Sequence, residues 1–171
     1  MRRTTSQLTT GAMLVTLAEA KEHLRILHDD EDAYITALIP VAQAQAEADT
    51  DMVFTSTDWI DVFEPCRNLS LAKSPVANVA SVLIGETATV DYELYQSEVG
   101  TSTICLPSLP TEDVTVTYST SLQRSNQTAI AKHMMLLLIG QMFSFREMEI
   151  TGTIVSKVQG YEFLKYALRG Q

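Results

Sequence analysis

Leu17, Ala20, Leu24 and Leu27 recur at three- and four-residue intervals, the spacing of one face of a helix, with Lys21, Glu22 and Arg25 turned outward. Just ahead, Thr16-Leu-Ala-Glu19 has the spacing of a capping box, in which Thr16 takes the backbone N–H of Glu19 and the Glu19 carboxylate reaches back to that of Thr16. A second helical pattern begins near Asp30 and places Ile35, Leu38, Ile39, Ala42 and Ala46 on one face, with small alanines that allow close packing. Asp29 and Asp30 are its expected N-terminal caps, because carboxylates accept from the free N–H groups there and favour the positive end of the helix dipole. Pro40 deletes the hydrogen bond to the Thr36 carbonyl, which predicts a kink between helix-forming flanks rather than a stop.

From Phe54 the period changes. Asp58–Glu64, Leu69–Ala72, Val76–Ile84, Tyr92–Gln96, Thr103–Leu106 and Val114–Tyr118 are short runs rich in β-branched and aromatic residues. Pro65, Ser74-Pro75, Gly85, Gly100, Pro107 and Pro110 punctuate them as turn formers. Val114, Val116 and Tyr118 alternate with Thr115, Thr117 and Ser119, as in a half-buried antiparallel strand. A long helix apolar over most of its circumference follows, capped from Ser125 and running through Ile130, Met134, Leu137, Leu138 and Phe145, so it needs cover on several sides. A polar connection, Glu149–Lys157, leads to a short last helix, Tyr161–Leu168, closed by Arg169 and Gly170.

The expected architecture is α+β: N- and C-terminal helices packed as a small bundle, with an antiparallel β region inserted between them in sequence. The helices are placed at about 17–28, 30–49, 126–147 and 160–168 and the β region at about 54–120, all in one domain spanning 13–171. Residues 1–12, MRRTTSQLTTGA, lack the apolar core of a secretory signal and read as a disordered tail or a cloning remnant.

Composition narrows the chemistry. A chain of 171 residues, 46% hydrophobic and 19% charged, suits one folded core. Its net charge of -9 argues against gripping a phosphate backbone, since nonspecific DNA affinity comes from Lys and Arg displacing counterions. Like charge does let DNA pass a surface without sticking. Ala129–Phe145 is the most apolar stretch, yet Lys132, His133, Gln141 and Ser144 interrupt it and it is shorter than the roughly 20 residues of a spanning helix. No membrane partner is expected.

No catalytic constellation stands out. Asp29, Asp30, Glu31 and Asp32 form an acidic cluster, but the spacing lacks the glycine and distal Glu of a calcium loop, so capping and a solvated charge run account for it. His23, His28 and His133 have no partners in the sequence for acid–base or ligand roles. Cys66 and Cys105 form no Cys-x-x-Cys pair, and Cys66 reads as packing rather than a reactive thiol. Met134, Met135, Met142 and Met148 read as core filling. Trp59, Phe63, Tyr92, Tyr95, Tyr118 and Tyr161 are the aromatics from which interface anchors are drawn. No enzyme activity, metal or cofactor is expected.

Leu14-Val-Thr-Leu-Ala-Glu-Ala-Lys-Glu-His-Leu-Arg-Ile26 followed by Asp29-Asp-Glu-Asp-Ala-Tyr-Ile-Thr-Ala-Leu-Ile39 closely resembles the opening of the phage head-tail connector family. The Trp-containing strand Asp58–Glu64, the strand, proline and strand unit Asn68–Val82, and Val114–Tyr118 ahead of the helix Thr128–Glu147 continue the resemblance from Met13 onward. Two departures stand out: Ala48-Asp-Thr-Asp-Met52 replaces a frequent Tyr-Thr-Gly-Arg, removing a basic side chain, and Pro40 replaces an ordinary helix former.

The resemblance implies a structural subunit at the virion's head-tail junction, assembled in the bacterial host cytoplasm. It implies a homo-oligomeric ring of twelve that docks under the portal protein, extends the DNA channel and offers a platform to a stopper or tail-completion protein. DNA would pass without sequence-specific binding. Ring closure needs two different faces per protomer, and Trp59, Phe63, Tyr161, Phe163, Leu164, Tyr166 and Arg169 are the candidates for subunit or portal contact. The competing readings are a small metal-dependent enzyme built on Asp29–Asp32 and a monomeric assembly adaptor working through the last helix.

Overall fold

The computed structural model describes residues 3–9, 11–96, 101–122, 124–145 and 159–169. Where one domain is expected, the chain divides into two compact units, one formed by Met1–Ala12 and Asp51–Gln123, the other by Met13–Thr50 and Arg124–Gln171.

The first unit is all β. Strands β1 (Arg3–Gln7), β2 (Thr57–Phe63), β4 (Val76–Ile84), β5 (Thr87–Thr89) and β8 (Val114–Thr120) form one antiparallel sheet in the order β1-β2-β8-β4-β5. Strands β3 (Asn68–Ser70), β6 (Glu93–Gln96) and β7 (Ser102–Cys105) form a second, ordered β3-β7-β6. Along both β2 and β8 buried and half-buried residues alternate strictly, because successive side chains point to opposite faces of a sheet. Phe63, Val82, Val114, Val116 and Tyr118 of the larger sheet share one core with Leu69 and Ile104 of the smaller.

Two strands were not expected. Arg3–Gln7, read as a loose tail, pairs antiparallel with β2, Arg3 opposite Phe63 and Gln7 opposite Trp59. Its Thr4, Ser6 and Gln7 side chains are exposed, so backbone pairing holds the strand and no hydrophobic period betrays it. Its root is fastened by Thr9: the Asp58 N–H donates to Thr9 Oγ1 at 3.1 Å and Thr9 Oγ1 donates to Asp58 Oδ2 at 2.9 Å. Strand β5 is short and polar, and it closes on β4 through Gly85-Glu86, with Ile84 opposite Thr87. Gly85 has φ +58°, the left-handed conformation that glycine takes without the steric cost of a Cβ, which suits it to this tight hairpin.

The second unit is a four-helix assembly of α1 (Leu17–Leu24), α2 (Asp32–Thr50), α3 (Ser125–Ser144) and α4 (Gln159–Arg169). The N- and C-terminal helices pack together: α2 and α4 lie against α3 and against each other, and α1 lies against α2 and α3. Ala20, Ile35, Ala42, Ala46, Ala131, Met134, Met135 and Ile139 are fully or nearly fully buried. Contact with three helices explains why α3 is apolar around most of its circumference. Met142 is half-buried; Met148 and the Glu149–Lys157 connection lie outside the described residues. None of the described helices is long and apolar enough to cross a membrane.

Local ends differ from expectation for identifiable reasons. The first helix stops at Leu24, four residues early, because Arg25 takes a left-handed conformation (φ 58°) and Ile26 N–H closes back on the Lys21 carbonyl at 3.0 Å. Leu27 therefore leaves the apolar stripe and is 96% exposed. Helix α2 runs through Pro40 without a stop, the proline lying on its exposed side. At the start of α3 the cap position is Arg124, not Ser125: the Arg124 N–H donates to Gln127 Oε1 at 3.3 Å, so the residue three positions on supplies the capping oxygen.

Candidate interaction surfaces

The acidic cluster ahead of α2 carries its own counterion. Lys21 Nζ lies 2.7 Å from Asp29 Oδ1 and 2.6 Å from Asp32 Oδ1, joining the middle of α1 to the start of α2. Hydrogen bonds to Asp29 and Asp32 hold the lysine above its ordinary range, and the lysine holds the Asp29 carboxyl below its own. Asp29 does help start α2, but through its carbonyl, which accepts the Asp32 N–H at 3.1 Å. The Asp30 side chain points to water, 3.6 Å from His28 Nδ1. Helix α2 begins two residues after Asp30, so the expected cap by these two carboxylates is corrected to a lysine clamp.

Thr16 and Glu19 do form the capping box. The Glu19 N–H donates to Thr16 Oγ1 at 3.3 Å and the Thr16 N–H donates to Glu19 Oε2 at 2.8 Å. Lys132 of α3 binds the other Glu19 oxygen, tying α3 to α1. That hydrogen bond, with the Thr16 N–H second, pulls the Glu19 carboxyl down to about 2.

The two aromatics of β2 are not surface anchors. Phe63 is 0% and Trp59 9% exposed, because alternation along β2 sends Thr57, Trp59, Asp61 and Phe63 to the same inward face. They belong to the core of the β unit, and the expectation that they mediate subunit contact is withdrawn. Trp59 Nε1 donates to Thr120 Oγ1 at 3.0 Å, and Lys73 Nζ stands 5.2 Å from its ring centroid.

Between them lies Asp61, which sequence reasoning passed over. It is 0% exposed; its Oδ2 accepts the Ala72 N–H at 2.7 Å and the Tyr118 hydroxyl at 3.2 Å. Tyr118 Oη in turn accepts the Lys73 N–H at 3.1 Å. This chain fixes the turn between β3 and β4 against the sheet. The signal was available: an Asp at an inward position of a period-two strand must find partners.

On the outer face of the smaller sheet, Glu93 and Tyr95 of β6 are exposed. The Tyr95 hydroxyl donates to Glu93, which raises its ionisation above the ordinary tyrosine range. Cys66 and Cys105 are half-buried and free. Cys105 Sγ donates to Asn68 Oδ1 at 3.2 Å, and burial pushes the Cys66 thiol up, the direction of an unreactive sulfur.

The last helix separates the residues that sequence reasoning had grouped. Tyr161 and Leu164 are half-buried and Leu168 is buried. The Tyr161 hydroxyl donates to Asp49 Oδ2 at 2.7 Å, anchoring α4 to the end of α2, and burial together with that bond raises its ionisation. Phe163 and Tyr166 are 72% and 53% exposed. Beside them Lys165 Nζ pairs with Glu162 Oε2 at 3.0 Å and stands 5.9 Å from the Tyr166 ring. Arg169 closes α4, and its side chain lies outside what the structure describes.

Residues 14–84 match the family model described as phage gp6-like head-tail connector protein. No curated protein matches the chain. Among solved structures, a chain of the neck of an empty gene transfer agent particle, computed with C6 symmetry, is similar at TM-score 0.72 and 19% identity, covering 97% of this chain and 95% of that one. A chain of the native gene transfer agent virion gives TM-score 0.71 at 18% identity, covering 96% and 94%. A chain of the native neck computed with C12 symmetry gives 0.70 at 18%, covering 97% and 94%.

Proposed function

We propose, from the match of residues 14–84 to the phage gp6-like head-tail connector family, that this chain is a member of that family and one protomer of a closed ring at the junction of a phage head and its tail. The match carries the reading, since it spans α1, α2 and β2 through β4, elements drawn from both units. The fold likeness over nearly the whole chain to proteins of particle necks supports the same role. The protomer is a structural connector subunit.

The ring holds twelve copies, in keeping with the C12 symmetry of the neck in which a similar chain occurs. It assembles in the host cytoplasm, docks under the portal protein, continues the DNA channel and presents its far side to a stopper or tail-completion protein. It performs no catalysis. Lys21 bridges Asp29 and Asp32, so two of the four acids that the enzyme reading relies on are engaged in joining α1 to α2.

The net charge of -9 fits a wall that DNA slides past. Exposed Glu64, Glu86, Asp91, Glu93, Glu112 and Asp113 give the β unit an acidic surface suited to lining such a bore.

The test is assembly of the full chain alone and with the portal protein of the same phage, followed by light scattering and negative-stain imaging. Rings in either condition are expected; a chain that stays monomeric in both overturns the reading. Retention of duplex DNA by the isolated protein at physiological salt would overturn the account of the bore.

A further inference from the structure

Helix α2 presents an unusual face to water. Its exposed residues between Asp32 and Asp49 are Ala33, Thr36, Ala37, Pro40, Val41, Ala44, Gln45 and Ala48, and none is charged. Exposed sides of surface helices ordinarily carry charged and polar residues. Ala33, Ala37, Val41, Ala44 and Ala48 follow one another at three- and four-residue steps, so they form a continuous shallow stripe. The alanines facing inward, Ala42 and Ala46, are already covered by the unit's own helices.

Helix α4 presents the opposite relief. Phe163 and Tyr166, three residues apart and both exposed, make a ridge of two rings on an otherwise anchored helix. The charges beside this ridge, Glu162 and Lys165, pair with each other.

We infer that the α4 ridge of one protomer seats on the outer face of α2 of a second copy, giving the head-to-tail contact of the ring. The inference rests on the ring reading above and names its interface. A closing ring needs two different, mutually fitting faces on every protomer; a ridge of large rings and a stripe of small side chains fit as knobs into holes. Charge selects the occupant. Copies of a chain with net charge -9 repel one another, so the surface they share must be one where acids are absent or paired, and these two helix faces meet that condition. Two exposed aromatics at the centre of such a contact are the residues expected to carry its affinity.

A head-to-tail contact can be broken from either side, and this gives the test. Ala37→Glu spoils the α2 face and leaves the ridge; Phe163→Asp spoils the ridge and leaves the α2 face. Both positions are exposed, so each variant keeps its helical circular dichroism. By native mass spectrometry and sedimentation, the wild-type chain, alone or on portal protein, forms rings, and each variant alone is expected to lose them by tenfold or more. Mixed in equal amounts, the variants retain one good interface per pair and are expected to give a dimer that grows no further. Variants that still form rings, or a mixture that stays monomeric beside a ring-forming wild type, overturn this interface while the ring reading stands. A wild-type chain that forms no ring in either condition overturns both.

Discussion

Phe63 and Phe163 are the same side chain in opposite circumstances. The first sits at the inward end of β2 with no exposed surface, and the second stands almost free on α4. The difference extends to the units that contain them. The β unit keeps Trp59, Phe63 and Tyr118 inside, with the Asp61 carboxylate beside them, and spends its interior hydrogen bonds on fixing a turn. The helical unit fills its core with aliphatic side chains and methionine, leaves Phe145, Phe163 and Tyr166 outside, and holds Glu19 and Lys132 at its partly exposed surface. An aromatic-rich segment is therefore no guide to an interface until its position in the period is known.

The contrast is sharpest for the two phenylalanines. Phe63→Ala is expected to destabilise the β unit by about 3–5 kcal/mol through the lost transfer energy and the cavity left behind. Phe163→Ala is expected to change stability by less than about 0.5 kcal/mol, as exposed substitutions do. Urea unfolding followed by tryptophan fluorescence and by circular dichroism measures both, and a similar midpoint shift for the two variants would remove the contrast.

Asp61→Ala comes next. It leaves the buried Tyr118 hydroxyl and Ala72 N–H without their acceptor, at an expected cost of about 1–3 kcal/mol. Protease cutting within Leu71–Pro75 should rise in this variant, and an uncut turn with unchanged stability would show that the network is dispensable. On the helical side Thr16→Ala removes one cap, for about 1 kcal/mol; a melting temperature equal to wild type would count against the capping box.

The effect of pH on Glu19 is no larger than that of the cap. Its folded pKa, about 2, lies below the ordinary glutamate value, so its stabilisation is complete above about pH 4.3 and fades as pH falls toward 2. The carboxylate is 38% exposed, so water and salt screen the pair and the loss is no more than about 1 kcal/mol. Melting temperatures of wild type and Glu19→Gln should converge between pH 5 and about pH 2; a gap that widens on acidification would contradict the assignment.

Legibility in the sequence followed the range of the forces involved. The capping box Thr16–Glu19, the alternation Val114–Tyr118 and the apolar circumference of α3 depend on neighbours within a few residues, and each was readable. Arg3–Gln7 was not, because an edge strand of polar side chains is held by backbone bonds to β2, more than fifty positions away in the chain. The fate of Asp29 was hidden for a related reason: Lys21 reaches it across the break between two helices, and no local rule ranks that clamp above a cap.

The sequence by itself determined the α+β class, the order of the four helices and of every strand but β1 and β5, and the acidic balance, since these follow from side-chain period, propensity and charge. Tertiary structure alone decided the division into two units and which aromatics are core and which are surface. A strand or helix period shows which residues share a face, but packing against other elements decides whether that face is closed or left for another chain.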